Sequence, residues 1–215
     1  IVVAGPGGNA DGQVVVVRYA TSGSLDAAFD GDGVATAYVA SSNEEALSVA
    51  IQSDGRIVVA GYTDTGNNDF IVARYNVDGS LDDGTAADST PGDSFGSSGT
   101  VVTDFAANSD EARAMAIQPD GKILVAGRTL MNLGSVNWFQ MFALARYNSD
   151  GSLDATFGVA GKVTTRFFVP AVTNLRGAEA ETIALQPDGR IVVAGFVFTG
   201  SDPTTFENLG GLAVA

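Results

Sequence analysis

The chain has 215 residues with no Cys and no His and carries a formal net charge of −14. Disulfides, thiolate or imidazole metal sites and His-based catalytic triads are thereby excluded, and so acidic a surface repels nucleic-acid phosphates and anionic membranes. At 45% hydrophobic with 27 glycines, the chain has apolar material for one sizeable core cut by many tight turns, and no apolar run approaches the roughly 20 residues of a membrane helix.

Residues 1–4 (IVVA) form an apolar run that ends at Gly5. Residues 14–19 (VVVVRY) form the next, followed by a polar turn with Leu25, Phe29 and Gly33 and a further run at 34–39. A run at 46–52 then passes through a Ser-Asp-Gly turn into 57–60 and Gly61. From there the order recurs. Runs at 70–75 and 100–105 flank a turn with Leu81, Phe95 and Gly99, and 112–118 leads through Pro-Asp-Gly into 123–126 and Gly127. Runs at 142–147 and 162–167 flank Leu153, Phe157 and Gly161, and 179–186 leads through Pro-Asp-Gly into 191–194 and Gly195, before an incomplete run at 212–215. Ile1, Ile57, Ile123 and Ile191 occupy equivalent places, 56, 66 and 68 residues apart.

Each run is short and rich in β-branched or aromatic residues, and Gly, Asp, Asn and Ser separate them. Two apolar runs around an Asp-Gly turn signal a hairpin. Runs such as IVVA lack alternation, which predicts strands buried on both faces. A four-stranded antiparallel sheet covered on both sides and recurring about every 60 residues predicts an all-β fold, a β-propeller with about four blades. The repeats are 1–56, 57–122, 123–190 and 191–215, forming one propeller segment; the first and last are incomplete, for 14 strands in all. Open sheet edges invite association. The chain is therefore expected to belong to a longer polypeptide, or to close a seven-bladed propeller with a second copy.

The repeats differ in length at defined places. The second carries ten extra residues between its third and fourth strands; they fall within 83–93, which reads as a solvated loop. The third gains six residues between Gly127 and Arg146 and six more between Gly161 and Gln186. In an antiparallel blade these two insertions, and the stretch 196–211, emerge on one face, while the insertion of the second repeat lies on the other.

Several constellations bear on function. Arg18, Arg74 and Arg146 recur with Asp26, Asp82 and Asp154. One reading is an anion-binding ring; recurrence in every blade favours ion pairs that hold the blades together. Asp78, Asp82, Asp150 and Asp154, in the spacing Asn-x-Asp-x-Ser-x-Asp, resemble the start of a calcium loop, as do Asp30 and Asp32 more weakly. The terminal Glu of such loops has no counterpart, and Asx-turn chemistry explains the same spacing. Asp54, Asp120 and Asp188 fit hairpin turns. Glu44, Glu45, Asp110, Glu111, Glu179 and Glu181 precede the innermost strands and are expected to ring one mouth of the axial channel, as a solvated rim or, as the enzymatic alternative, as carboxylates for glycoside hydrolysis. No distinct acid–base pair stands out, so the chain reads as non-enzymatic and without a cofactor other than calcium. Among the residues that break the repeat, Trp138, Phe139, Phe168, Phe198 and Phe206 fall on the lengthened face and are the candidates for partner binding.

The run ARYNSDGSLDATFG at 145–158, followed by Gly161 and by QPDGRIVVAG at 186–195, resembles the delta-60 repeats of bacterial proteins. That resemblance extends over essentially the whole chain. It implies propeller-like arrays in large secreted or cell-surface proteins, with protein or glycan partners and no shared catalytic site. The first repeat departs from it: Ala20, Thr21 and Ser22 stand where the second has Asn76, Val77 and Asp78.

Overall fold

A computed structural model describes residues 1–7, 13–37, 44–64, 66–86, 88–105, 109–132, 138–167, 175–199 and 207–214. Among them are fourteen strands and no helix. The incomplete first blade comprises β1 (Val2–Pro6), β2 (Val14–Arg18) and β3 (Val34–Ala37). The second comprises β4 (Glu44–Ile51), β5 (Ile57–Asp64), β6 (Asn68–Tyr75) and β7 (Thr100–Thr103). The third comprises β8 (Asp110–Ile117), β9 (Ile123–Asn132), β10 (Trp138–Tyr147) and β11 (Lys162–Thr165), and the fourth β12 (Leu175–Leu185), β13 (Ile191–Thr199) and β14 (Glu207–Val214). Each blade is an antiparallel meander in chain order. The first strands β4, β8 and β12 lie beside one another from blade to blade, which sets them innermost.

The hydrophobic cores lie between blades. Val16 and Phe29 of the first blade pack with Val59, Ala73 and Tyr75 of the second. Val58, Phe70, Val72 and Phe95 of the second pack with Ile123, Val125, Ala145 and Tyr147 of the third. Ala126 and Phe142 of the third meet Ala178, Ala180 and Val193 of the fourth. In β5 and β9 the Ile-Val-Val-Ala and Ile-Leu-Val-Ala runs are buried residue after residue, because each side of the sheet faces another sheet.

The repeat signature is the seam of this packing. Arg18 Nε donates to Asp26 Oδ2 at 2.8 Å and Arg146 Nε to Asp154 Oδ2 at 2.8 Å, and Arg74 pairs with Asp82 in the same way. Each guanidinium stacks on the Phe of its own turn, 4.7 Å from Phe29, 4.8 Å from Phe95 and 4.4 Å from Phe157. Arg18 and Arg74 also donate to main-chain carbonyls of the following blade, those of Val77 and Ser149. The turns join by main chain as well, through Asp30 N–H to Asp78 O (2.6 Å) and Gly96 N–H to Asp150 O (2.8 Å). A Cβ on Gly79 would lie 2.7 Å from Asp30 N, and one on Gly151 2.8 Å from Gly96 N, with φ at +97° and +87°. The Gly of the Asp-Gly-Ser-Leu turn thus serves both the left-handed conformation and the approach of the neighbouring blade.

Three expectations are corrected here. The second strands do not end at Gly61, Gly127 and Gly195 but run through them. The insertions on the lengthened face are largely strand: β9 and β10 extend to Asn132 and from Trp138, and β13 and β14 occupy much of 196–211. The stretch 83–93 is not simply solvated. Asp88, 5% exposed, accepts from Asn76, from Gly84 N–H (2.8 Å) and from Thr90 N–H (2.9 Å), and Asp93 pairs with Arg56 at 2.7 Å. Burial works to raise the Asp88 pKa, but these donors outweigh it and the net shift is downward.

Candidate functional site at the axial strands

Each first strand carries a β-bulge at one place, between Ala46 and Ser48, Ala112 and Ala114, and Ala180 and Thr182. The extra residues are Leu47, Arg113 and Glu181. At the bulge the first-strand backbone swings onto the glycine of the second strand: a Cβ on Gly61, Gly127 or Gly195 would lie 1.7, 1.9 or 1.9 Å from the carbonyl oxygen of Glu45, Glu111 or Glu179. Bulges of this kind aim side chains, and here they bring three glutamates to one register of the axial strands.

Apart from Glu181, which is exposed, the acidic residues expected to ring the channel mouth are enclosed. Glu44, Asp110, Glu111 and Glu179 are all buried, and Glu45 accepts a hydrogen bond from Tyr62. Glu111 is bound by Arg128, by Arg113 Nη2 at 3.0 Å and by Asn68 Nδ2 of the preceding blade at 3.2 Å. Glu179 pairs with Arg113 Nε at 2.6 Å, with Arg128 Nε 3.8 Å away. Arg113 therefore bridges the third and fourth blades. Burial alone would lower its pKa, but Glu179, Glu111 and Glu181 outweigh burial and raise it. Burial pushes the Tyr62 hydroxyl up to about 12, reinforced by its bond to Glu45 and the charge of Glu111. Glu181 is raised by burial first and then by Glu179. Two guanidiniums shared between two carboxylates form a network that orients strands. A hydrolytic acid–base pair needs carboxyls facing a substrate instead.

The calcium candidates are placed in turns. Asp78 Oδ1 accepts from Ser80 N–H (3.1 Å) and Oγ–H (2.7 Å), and Asp150 Oδ1 accepts from the same groups of Ser152 (2.9 and 2.6 Å). Asp82 belongs to Arg74, and Asp154 is held by Arg146, by Lys122 Nζ at 3.0 Å and by Thr156. Asp32 Oδ1 accepts from Val34 N–H at 2.8 Å, while Asp30 takes φ 51° in the turn against the next blade. The spacing is explained by Asx turns and ion pairs. Of the partner-binding candidates, Phe139 lies on β10 with the Arg166 guanidinium 4.3 Å from its ring centroid. Trp138 and Phe198 have their backbones in β10 and β13, and their side chains lie outside the described residues, as do Phe168 and Phe206 entirely.

A family described as "Domain of unknown function (DUF5122) beta-propeller" matches at residues 1–29, 52–84 and 118–157. The fold is a β-propeller. In each of the three matched stretches lies one of the Arg–Asp pairs. No curated protein matches the chain. Among solved structures, an exo-1,5-alpha-L-arabinanase from a bovine ruminal metagenomic library is similar at 10% identity and TM-score 0.45 over 94% of this chain; the chain spans 63% of that protein. A protein of unknown function from Bacteroides caccae is similar at 12% identity and TM-score 0.42, over 99% of this chain and 72% of its own length.

Proposed function

We propose that this propeller segment is a non-catalytic structural and interaction module of the delta-60 repeat type, in a bacterial secreted or cell-surface protein, and that it binds protein or glycan partners through the lengthened hairpins of one face. The observation that carries the reading is a departure from the repeat. The β9–β10 and β13–β14 hairpins are long, and Gln140 of β10 pairs in parallel with Gly177 of β12, which joins the third and fourth blades into one seven-stranded sheet on that face. What recurs in every blade is consumed by packing; what breaks the recurrence extends the strands β9, β10, β13 and β14 and carries Phe139 and Trp138. The test is retention on a panel of immobilised bacterial and plant polysaccharides, arabinan included, with release of reducing ends assayed in parallel. Retention that Phe139→Ser and Trp138→Ser abolish, with no sugar released, is expected. Release of sugar that Glu111→Gln or Glu179→Gln abolishes would replace the proposal with a hydrolase.

A further inference from the structure

Asp69 is the second residue of β6, Asp104 follows β7 and Asp110 opens β8, so the antiparallel order brings all three to one end of the junction between the second and third blades. Each contributes a carboxylate oxygen within 4.8 Å of the others. Calcium holds oxygen ligands at about 2.3–2.6 Å, which sets ligand oxygens up to about 5 Å apart, so the spacing suits one shared ion. The carboxylates grade from exposed Asp104 through half-buried Asp69 to Asp110, which is 0% exposed.

Two further atoms point inward. Asp110 Oδ2 accepts the Phe105 N–H at 2.6 Å, but Asp110 Oδ1 is buried without a hydrogen bond of good geometry. The hydroxyl of Thr129, a residue also 0% exposed and opposite Asp110 in the β8–β9 register, is the polar neighbour of that carboxylate, and it too makes no hydrogen bond of good geometry. Buried polar atoms are ordinarily satisfied by a partner, and a shared cation is one that would satisfy both. Burial raises the Asp110 pKa to about 6; Thr129 and the Phe105 N–H pull it down, and Asp104 and Asp69 push it further up. Lys162 Nζ donates to the Asp104 main-chain carbonyl at 2.8 Å.

The cluster also breaks the repeat. The places of Asp69, Asp104 and Asp110 are taken by Gln13, Tyr38 and Glu44 one blade earlier, and by Met141, Arg166 and Ala178 one blade later. Recurrent residues in this chain serve blade packing; three carboxylates meeting at one junction do not.

We infer that Asp69, Asp104 and Asp110, with the Thr129 hydroxyl, form a binding site for a hard divalent cation, calcium, that clamps the second blade to the third. The inference stands apart from the proposed partner-binding role. The test uses the whole chain, stripped with EDTA and dialysed. Isothermal titration with CaCl2 is expected to show one saturable site. At a hundredfold excess over Kd the melting temperature should rise by about 5–10 °C. Asp110→Asn, which keeps the shape and removes a charge, should melt no lower than the stripped wild type and lose the calcium response. Asp69→Asn supplies a second variant should Asp110→Asn fail to fold. Identical melting in EDTA and calcium would overturn the site and leave a proton shared among the carboxyls. So would a shift matched by NaCl of equal ionic strength, or one that persists in the variants.

Discussion

Gly5 and Gly127 occupy the same place in their blades, yet only one of them is sterically required. Neither has a left-handed φ. A Cβ on Gly127 would meet the Glu111 carbonyl oxygen at 1.9 Å, and the atom it meets is backbone, which cannot swing aside; a Cβ on Gly5 meets nothing within 4 Å. Gly127→Ala should therefore cost about 3 kcal/mol, the upper end for overpacking, in denaturant unfolding, whereas Gly5→Ala should be neutral or slightly stabilising through the unfolded chain. Equal losses would mean that the bulged first strand is not what demands the glycine. The tyrosines offer a parallel contrast. Tyr147 Oη–H donates to Thr103 Oγ1 at 2.8 Å, while the equally buried Tyr75 hydroxyl has no partner, because the place of Thr103 is held by Ala37 one blade earlier. Burial raises both phenol pKa values far above the usual range. Tyr147→Phe should cost about 1 kcal/mol and Tyr75→Phe nothing or less than nothing, read from urea midpoints at constant m-value.

At the scale of the element, the seam between blades rests on Arg74, 3% exposed, which joins Asp82, Phe95 and the Ser149 carbonyl. Asp82 has a raised pKa because burial outweighs Arg74 and Arg56. Arg74→Met keeps the apolar stem and removes the charge. A buried carboxylate left unpaired costs about 3–5 kcal/mol, and with burial less opposed the Asp82 pKa climbs further. A carboxyl that titrates higher in the folded chain than in the unfolded one holds its proton more tightly when folded. The deficit relative to wild type should then be largest above the variant's folded pKa, and should shrink as pH falls from there to the wild-type folded pKa, itself raised, the unfolded state cancelling between the two. Asp78, Asp88 and Asp150 run the other way, with pKa values lowered, burial excepted, by hydrogen bonds from Ser80, Thr90 and Ser152; they weaken both proteins alike in acid, so the difference between the two unfolding curves is the quantity to follow. A deficit that does not depend on pH would assign the loss to packing alone. These seams were legible along the chain because an Arg and an Asp eight residues apart, recurring with a Phe, state their own partnership. The axial network was not. Arg113 is a bulge residue, and nothing in the alternation of β8 marks where an extra residue enters. The insertion 83–93 misled for a related reason: a run of Gly, Asp, Ser and Thr looks solvated until Asp88 is seen turned inward on Asn76. Asp69 and Asp104 went unnoticed in the sequence, because their meeting with Asp110 belongs to the junction between blades, which no single run of sequence shows.

For the whole molecule, the cores between blades make each blade's stability conditional on its neighbour. Val59, Val125 and Val193 are 2%, 0% and 4% exposed, and their equivalent Val3 is 51% exposed; Ile57 and Ile123 are 1% and 0% exposed, and Ile1 is 77% exposed. Among the described residues β1 is hydrogen-bonded to β2 alone, so its other edge offers free N–H and C=O groups beside two apolar side chains. Such an edge is a template for another strand. A polypeptide of residues 1–215 should accordingly self-associate, with a sedimentation coefficient that rises with concentration. The net charge of −14 opposes association at low ionic strength, so added salt should strengthen it by screening. Val3→Lys places a charge on that edge without touching the cores of the second and third blades, and should return the chain to a monomer with its far-ultraviolet spectrum unchanged. If Val3→Lys associates as the wild type does, the contact lies elsewhere, and the lengthened hairpins with Trp138 and Phe139 become the surface to substitute next. The two surfaces separate further by salt: screening strengthens an apolar edge between acidic bodies, whereas a contact built on Arg166 and the acidic remainder of a second copy would weaken as salt is raised.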